Sequence, residues 1–531
     1  MGCPAPLPRR WPHHTHAAPR LAGALRAALV GLVTAVATGG AVIAGLGGGA
    51  GCGRLEFVDV VLKEPPTLAY PARVHAVLSQ TNLTLTPETT AGARPQSFTI
   101  TPALPAGLTL NETTGEIVGV PTQVVKRVQY TVQARFTTGD ERTPREASFW
   151  LTVLPGYEVT ATADAPDDNA GADSVCFATA AGGCTLRAAL QSSGGLVTSR
   201  LILLDAATYL LNAPLTSENT VLIAGKDAAS TIIRPPVVHP RYRMMGVGGG
   251  TLRLEDLTVQ DFGVADGAAI RLEEGTFEAE ACVFRNNEAE STGGVLFSST
   301  RTSASFDECS FVGNRSVGNN GWGGVIDAEG AGAQVTVRRS SATGNLAVWG
   351  SFSHITTGAT LVLENSTLYG NIATRAGTLA SPGGRYILLN DTIVFNTNTF
   401  DDSAAIYLFS VPAEYTLTNT LVAFNTARSG KQNNCNRNDA NTMIKSGGGN
   451  LFSDDSGNCL SFFGAADLLK TDPQLDPLGP RDHGGLTMTY APAQTSPVLD
   501  AGVAMACPAQ DQRGLPRPAN GGCDIGAFEL Q

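Results

Sequence analysis

Between about Leu252 and Asn425 the chain repeats one residue pattern at intervals near the length of a single solenoid coil, and this repeat limits the possible folds most tightly. One rung reads Phe277, Ala279, Cys282, Phe284 and Asn287; the next reads Ala304, Phe306, Cys309, Phe311 and Asn314 with the same internal spacing. Val335, Val337, Ser340, Ala342 and Asn345 follow, then Leu361, Leu363, Ser366, Leu368 and Asn371. Tyr386, Leu388, Asp391, Ile393 and Asn396 come next, and Tyr415, Leu417, Thr420, Val422 and Asn425 end the series. An earlier copy, Leu252, Leu254, Leu257 and Val259, carries Phe262 in the Asn slot. Two apolar residues two apart are strand alternation, the small or polar residue three further on marks a bend, and the next apolar residue points inward again. Asn tolerates left-handed backbone angles and bonds neighbouring backbone, so Asn287, Asn314, Asn345, Asn371, Asn396 and Asn425 are expected to turn the chain and stack as a ladder. A coil of about 25 to 30 residues cannot bury its own apolar face, whereas coils stacked at ~4.8 Å can. The pattern predicts an all-β chain dominated by a right-handed parallel β-helix over residues 201–470.

Small residues recur after the Asn turns, in Gly267-Ala268-Ala269-Ile270, Gly293-Gly294-Val295-Leu296, Gly323-Gly324-Val325-Ile326 and Ser403-Ala404-Ala405-Ile406, where they permit a tight corner before an apolar strand. With Phe284 to Asn287 and Phe311 to Asn314, these stretches resemble the repeats of bacterial polymorphic outer membrane proteins.

The amino terminus reads as an export signal over residues 1–51. Arg9, Arg10, Arg20 and Arg26 precede an apolar run from Ala27 to Leu46, and Gly47-Gly48-Gly49-Ala50-Gly51 lead to Cys52. Small residues before a Cys resemble the lipobox of bacterial lipoproteins, which implies lipid attachment at Cys52; ordinary cleavage nearby and an uncleaved anchor are the alternatives. Each places the remainder outside the cytoplasm, in the envelope, at the cell surface or in the medium, with the membrane as a partner of the amino terminus. Eight further cysteines agree with export: Cys176 with Cys184, Cys435 with Cys459 and Cys507 with Cys523 are the disulfide candidates nearest in sequence. Cys282 and Cys309, in one slot of adjacent rungs, are either bonded or buried thiols. The absence of Cys-x-x-Cys spacing argues against zinc, and neither a metal nor a cofactor is expected. A net charge of -11 excludes the basic footprint that nucleic acid requires.

Residues 55–155 alternate short strands with Pro- and Thr-rich turns, which predicts a β-sandwich. Leu104-Pro105-Ala106-Gly107-Leu108 and Thr114-Gly115-Glu116-Ile117-Val118-Gly119 resemble the immunoglobulin-like modules of bacterial surface proteins, implying a stalk or adhesive spacer. Residues 156–200 read as a linker and cap. There Cys184-Thr185-Leu186-Arg187-Ala188 resembles the Cys-Ser-Leu-Arg-Glu-Ala motif that opens many exported β-helices, with Thr185 placed to cap a short helix whose Leu186, Ala189 and Leu190 cover the first coil. The acidic run Asp164 to Asn169 is a calcium candidate or an exposed turn. In residues 471–531, Ser496 to Gly502, Asp511 to Gly514 and Cys523 to Glu529 resemble the closing region called choice-of-anchor Q. Asp500, Asp511, Arg513 and Asp524 there either line a site or close the last coil through turns and ion pairs.

No catalytic set is evident from the residues alone. Hydrolysis of sugars needs clustered carboxylates, and elimination needs a base beside a neutralising cation. Asp482-His483 reads as a turn; Asp401-Asp402 and Asp327 lie in loops or rungs that folding could bring to one face; Asp391 fills a bend slot. Trp322, Trp349 and Tyr369 are sugar platforms or rung packing. The reading favoured is a non-enzymatic exported surface β-helix for adhesion or for binding a glycan or surface protein, with a carbohydrate-active enzyme, a lyase or a glycoside hydrolase, as the alternative.

Overall fold

The computed structural model describes residues 67–89, 95–136, 144–170, 175–193, 199–400, 404–409, 413–438, 442–454 and 459–531. Cys52, the amino-terminal leader and Asp401-Asp402 lie outside them.

Rung periodicity becomes a parallel β-solenoid. An 18-stranded sheet takes two strands from most coils, and 11-stranded and 6-stranded sheets take one each. The coil beginning at Leu296 is representative: Leu296–Ser298 and Ser303–Asp307 enter the large sheet, Ser310–Val312 the second and Arg315–Ser316 the third. Each pairs in parallel with the same slot of the next coil, as Phe306 does with Val337 and Phe311 with Ala342. Inward slots form one continuous core, with Phe277, Phe284, Phe306, Phe311 and Phe352 fully buried and packed edge-on or stacked at 5.1 to 5.8 Å between centroids.

The Asn ladder runs through the coils without a break. Asn314 Nδ2 donates to Asn345 Oδ1 at 3.1 Å and to Phe284 O at 2.9 Å, while Asn345 Oδ1 also accepts the Asn314 amide at 2.8 Å. Asn287, Asn371, Asn396 and Asn425 repeat this arrangement, and Asn425 passes it to Asn434 at 2.9 Å. One expectation is corrected. The ladder Asn does not itself take the left-handed turn; the residue before it does, namely Asn286, Gly313, Gly344, Gly370, Phe395 and Phe424. Splitting the two jobs leaves each Asn amide free to bond along the stack while its neighbour reverses the chain.

The amino-terminal module is a sandwich of a four-stranded sheet and a three-stranded sheet around Ala76, Phe98, Ile117, Val132, Phe149 and Leu151. It packs directly on the solenoid rather than extending from it as a free spacer. Val77 and Leu154 share a cluster with Leu201, Leu222 and Ala224, and Gly156–Glu158 continues as the first strand of the large sheet. Ionic contacts add to this. Arg73 donates to Asp256 at 2.8 Å and to Glu308 at 3.1 Å; Arg127 reaches Glu280 at 2.5 Å; His75 Nε2 lies 3.1 Å from Glu255. Burial opposes the charge on Glu255, but His75, Arg253 and Arg127 outweigh it and hold this carboxyl down to about 2.

At the solenoid's start the helix Leu186–Ser193 covers the first coil, with Leu186 and Ala189 buried in the common core. Thr185 Oγ1 accepts the Ala188 amide at 3.0 Å, the geometry of an N-cap. At the far end the closing region does more than cover the last coil. It folds back as a strap along the outer flank of earlier coils: Gln512 Nε2 donates to Ser340 O at 3.2 Å, Asn365 Nδ2 to Gln510 O at 2.9 Å, Asn390 Nδ2 to Asp524 O at 3.2 Å and Asn419 Nδ2 to Val503 O at 3.2 Å.

Candidate functional site

Strand alternation sends Ile326 and Ala328 into the core and turns Asp327 outward, yet Asp327 is 0% exposed. The reason lies in the corner between the third sheet and the large sheet, where two rows of outward side chains face each other. One row, in register across five coils, is Arg271, Phe297, Asp327, His354 and Ala380, followed by Tyr407. The other is Asp266, Thr292, Trp322, Trp349 and Ala376. Left-handed Gly267, Gly293, Gly323 and Gly350 sit between them, and an added Cβ at Gly323 would meet the Ile326 carbonyl at 2.0 Å, so only glycine fits this bend.

Within the corner, His354 Nδ1 and Asp327 Oδ1 are 2.8 Å apart, and the Trp322 ring stacks on the imidazole with centroids 5.1 Å apart and planes 20° apart. Asp327 Oδ2 is enclosed without a well-aligned hydrogen bond, and the half-buried Glu329 carboxyl neighbours it. Burial raises the Asp327 carboxyl, and burial together with the Asp327 charge raises Glu329. Asp266, which accepts from Arg271 at 3.2 Å and Thr292 at 3.2 Å, adds a third acidic group. Arg271 lies 4.8 Å from the Phe297 ring, and Trp349 packs on Phe409 at 5.3 Å.

Of the residues singled out from sequence, Asp327, Trp322 and Trp349 meet here, whereas Tyr369 lies elsewhere, edge-on to Tyr490 at 6.1 Å. His354 was missed. Its signal was available: it stands four residues after Gly350, as Arg271, Phe297 and Asp327 stand four after Gly267, Gly293 and Gly323.

The remaining candidates have structural partners. Disulfides join Cys176 to Cys184, Cys435 to Cys459 and Cys507 to Cys523, while Cys282 and Cys309 are buried thiols. Asp164 binds Arg187 at 2.7 Å, and Asp167 and Asp168 accept from Ser192 and Thr179, so the acidic run ties the cap together. Asp391 accepts the Ser366 and Leu389 amides. His483 Nδ1 meets Thr489 Oγ1 at 2.8 Å, and Asp482 accepts the Gly484 amide, which makes this a turn. In the strap, Asp511 pairs with Arg513, Asp524 accepts the Asp500 and Leu530 amides, and fully buried Arg517 and Glu529 pair at 2.9 Å. His75, Glu255 and Asp256 hold possible metal-ligand atoms within 4.8 Å of one another, but Arg73, Arg127 and Arg253 already bring positive charge to the same carboxylates.

The family described as Putative Ig domain matches residues 65–154. Among solved structures, the crystal structure of pectate lyase Pel9A aligns with 71% of this chain and 97% of its own at 13% identity and a TM-score of 0.39. No curated protein matches the chain.

Proposed function

We propose that this protein is an exported, envelope-associated β-helix that binds polysaccharide along the corner between its large and third sheets. The observation carrying this reading is the pair of facing rows in which Trp322 and Trp349, in consecutive coils, flank Asp327, His354 and Glu329. Aromatic faces suit the apolar faces of sugar rings, and Trp322, Trp349 and Glu329 are the partly exposed side chains here, whereas Asp327 and His354 are buried. Three disulfides among the described residues accord with an oxidising compartment, and lipid attachment at Cys52 gives the attachment to the membrane.

Affinity electrophoresis of the full chain through gels containing polygalacturonate, alginate, xylan or a β-1,3-glucan tests the binding. Retardation by at least one polymer, weakened about tenfold by Trp322→Ala or Trp349→Ala, is the expected result, since tenfold is ~1.4 kcal/mol and within the range of one aromatic contact. Migration unaffected by all four polymers would remove the reading. Mass spectrometry of the mature amino-terminal peptide tests the anchor: acylated Cys52 in the membrane fraction supports it, and an unmodified terminus in the medium refutes it.

The sequence alone favoured a non-enzymatic role.

A further inference from the structure

We infer that the polysaccharide held at the corner is anionic, bearing carboxylates along its length, and that Arg375, Arg428 and Lys431 bind these groups where the corner runs into the later coils. The inference rests on the binding reading above and names the class of polymer.

Arg375 stands one residue before Ala376, which follows Trp322 and Trp349 in the second row. Ile372 pairs with Thr397 and Ala373 with Asn398, so the same register brings Phe400 beside Arg375 in the next coil. The guanidinium carbon of Arg375 lies 5.3 Å from the Phe400 ring centroid, and that of Arg428, from the coil after, lies 5.5 Å from it. Fully buried Asn398 holds this stack in place: its Nδ2 donates to Arg375 O at 2.5 Å, and its Oδ1 accepts the Phe400 amide at 3.0 Å. Lys431 shares the turn of Arg428, which the Ala427 amide closes on Lys431 O at 2.9 Å. All three cations are exposed, as is Phe400 at 54%, and among the described residues none of the three cations forms an ion pair.

Stacking decides what this patch can bind. An arginine laid on a ring face has already lost the freedom of its long side chain and keeps its N–H edge open, and that edge matches a carboxylate in two parallel bonds. With one coil spacing on either side of Phe400, the two guanidinia are roughly 10 Å apart, so a lone anion meets one of them whereas a polymer charged along its length meets both. Positive charge gathered here is local, since the chain as a whole carries -11. The carboxyls of the corner, Asp266, Asp327 and Glu329, belong to coils at least two before that of Arg375, and Asp266 and Asp327 already have Arg271 and His354 as partners.

The test is affinity electrophoresis of the full chain with the same four polymers, scored against a polymer-free gel. Polygalacturonate and alginate carry a carboxylate on every sugar, whereas the β-1,3-glucan and a xylan without acidic side groups carry none. Retardation by an acidic polymer and by neither neutral one is expected. Arg375→Gln, Arg428→Gln and Lys431→Gln combined should weaken it roughly tenfold, and the loss of affinity between about 0.05 and 0.5 M salt should be shallower in this variant. A control combining Lys126→Gln, Arg285→Gln and Arg301→Gln removes the same charge from exposed positions in the module and the early coils, and should change little. All six side chains are exposed, and circular dichroism melting checks that both variants fold. Retardation by a neutral polymer as strong as by an acidic one, an unchanged Arg375/Arg428/Lys431 variant, or an equal loss in the control would overturn the inference while leaving binding at the corner in place, which Trp322→Ala reads separately. Absence of retardation by every polymer would overturn both.

Discussion

Replacing Asn345 with Ala tests whether the ladder is a structural spine or a decoration of the turns. Asn345 is fully buried; its Nδ2 donates to Phe311 O at 3.0 Å and Asn371 Oδ1 at 2.8 Å, and its Oδ1 accepts the Asn314 amide and the Asn314 Nδ2. The truncation would strand the Phe311 carbonyl, the Asn314 N–H and one Asn314 Nδ2–H, because the Asn371 oxygen keeps its bond from the backbone amide of residue 345. At roughly 1–2 kcal/mol per stranded buried group, the loss is about 3–6 kcal/mol. Asn287 stands at the ladder's start, where Phe262 offers only a backbone N–H, so Asn287→Ala strands two groups and costs about 2–4 kcal/mol. Native-state hydrogen exchange, read by mass spectrometry on peptides spanning Phe311 to Leu363, gives the opening free energy locally, which suits a solenoid whose coils do not unfold as one unit. The reasoning fails if Asn345→Ala lies within ~1 kcal/mol of the unaltered protein, or if the end position proves the costlier of the two.

The remaining expectations are briefer. Docking of the amino-terminal module should weaken in alkali: burial lowers the His75 pKa, but the nearby carboxylates of Asp256 and Glu255 outweigh this and raise it, so its contribution is full below ~6.5 and lost as pH rises through the raised value. Glu255 behaves oppositely, its contribution being present above ~4.5 and lost as pH falls through about 2; limited proteolysis at the module boundary across pH reads both. Thr185→Ala should cost about 1 kcal/mol and speed exchange in the helix Leu186–Ser193. Cys282 and Cys309 should resist maleimide in the folded protein and react in denaturant, whereas labelling at the native rate of a free thiol would contradict their burial.

Each rung's fold could be read from sequence because the information is local: five slots within about a dozen residues fix strand, bend and turn, and repetition supplies the partner coil. Disulfide partners near in sequence were accessible for the same reason. The Asp327–His354 contact was not, since it joins residues 27 apart that match no motif and meet only once the coils are stacked in register. Counting from the left-handed glycines rather than from the Asn corners would have aligned them. Asn434 escaped notice because it continues the ladder nine residues after Asn425, inside one loop and outside the rung spacing. The strap was illegible for a different reason. Its bonds to Asn365, Asn390 and Asn419 use residues whose sequence role, a turn after an apolar strand, is complete without any partner.

The two covered flanks contrast with the corner between the large and third sheets. The amino-terminal module occupies the flank of the early coils through Glu255, Asp256, Glu280 and Glu308, and the strap occupies the corresponding flank of the later coils through Asn365, Asn390 and Asn419. Inward slots vary only among residues that fill a core, because a repeating backbone allows little else there. What can differ from coil to coil at small cost in stability is the outward slot of the remaining corner, and that slot runs Arg271, Phe297, Asp327, His354: a cation, an aromatic ring, a carboxylate and an imidazole in consecutive coils. A corner serving packing alone would be filled most cheaply by apolar residues, since a buried carboxylate carries a desolvation cost of several kcal/mol before any partner offsets it. The buried Asp327 therefore weighs toward a function at this corner rather than at the covered flanks.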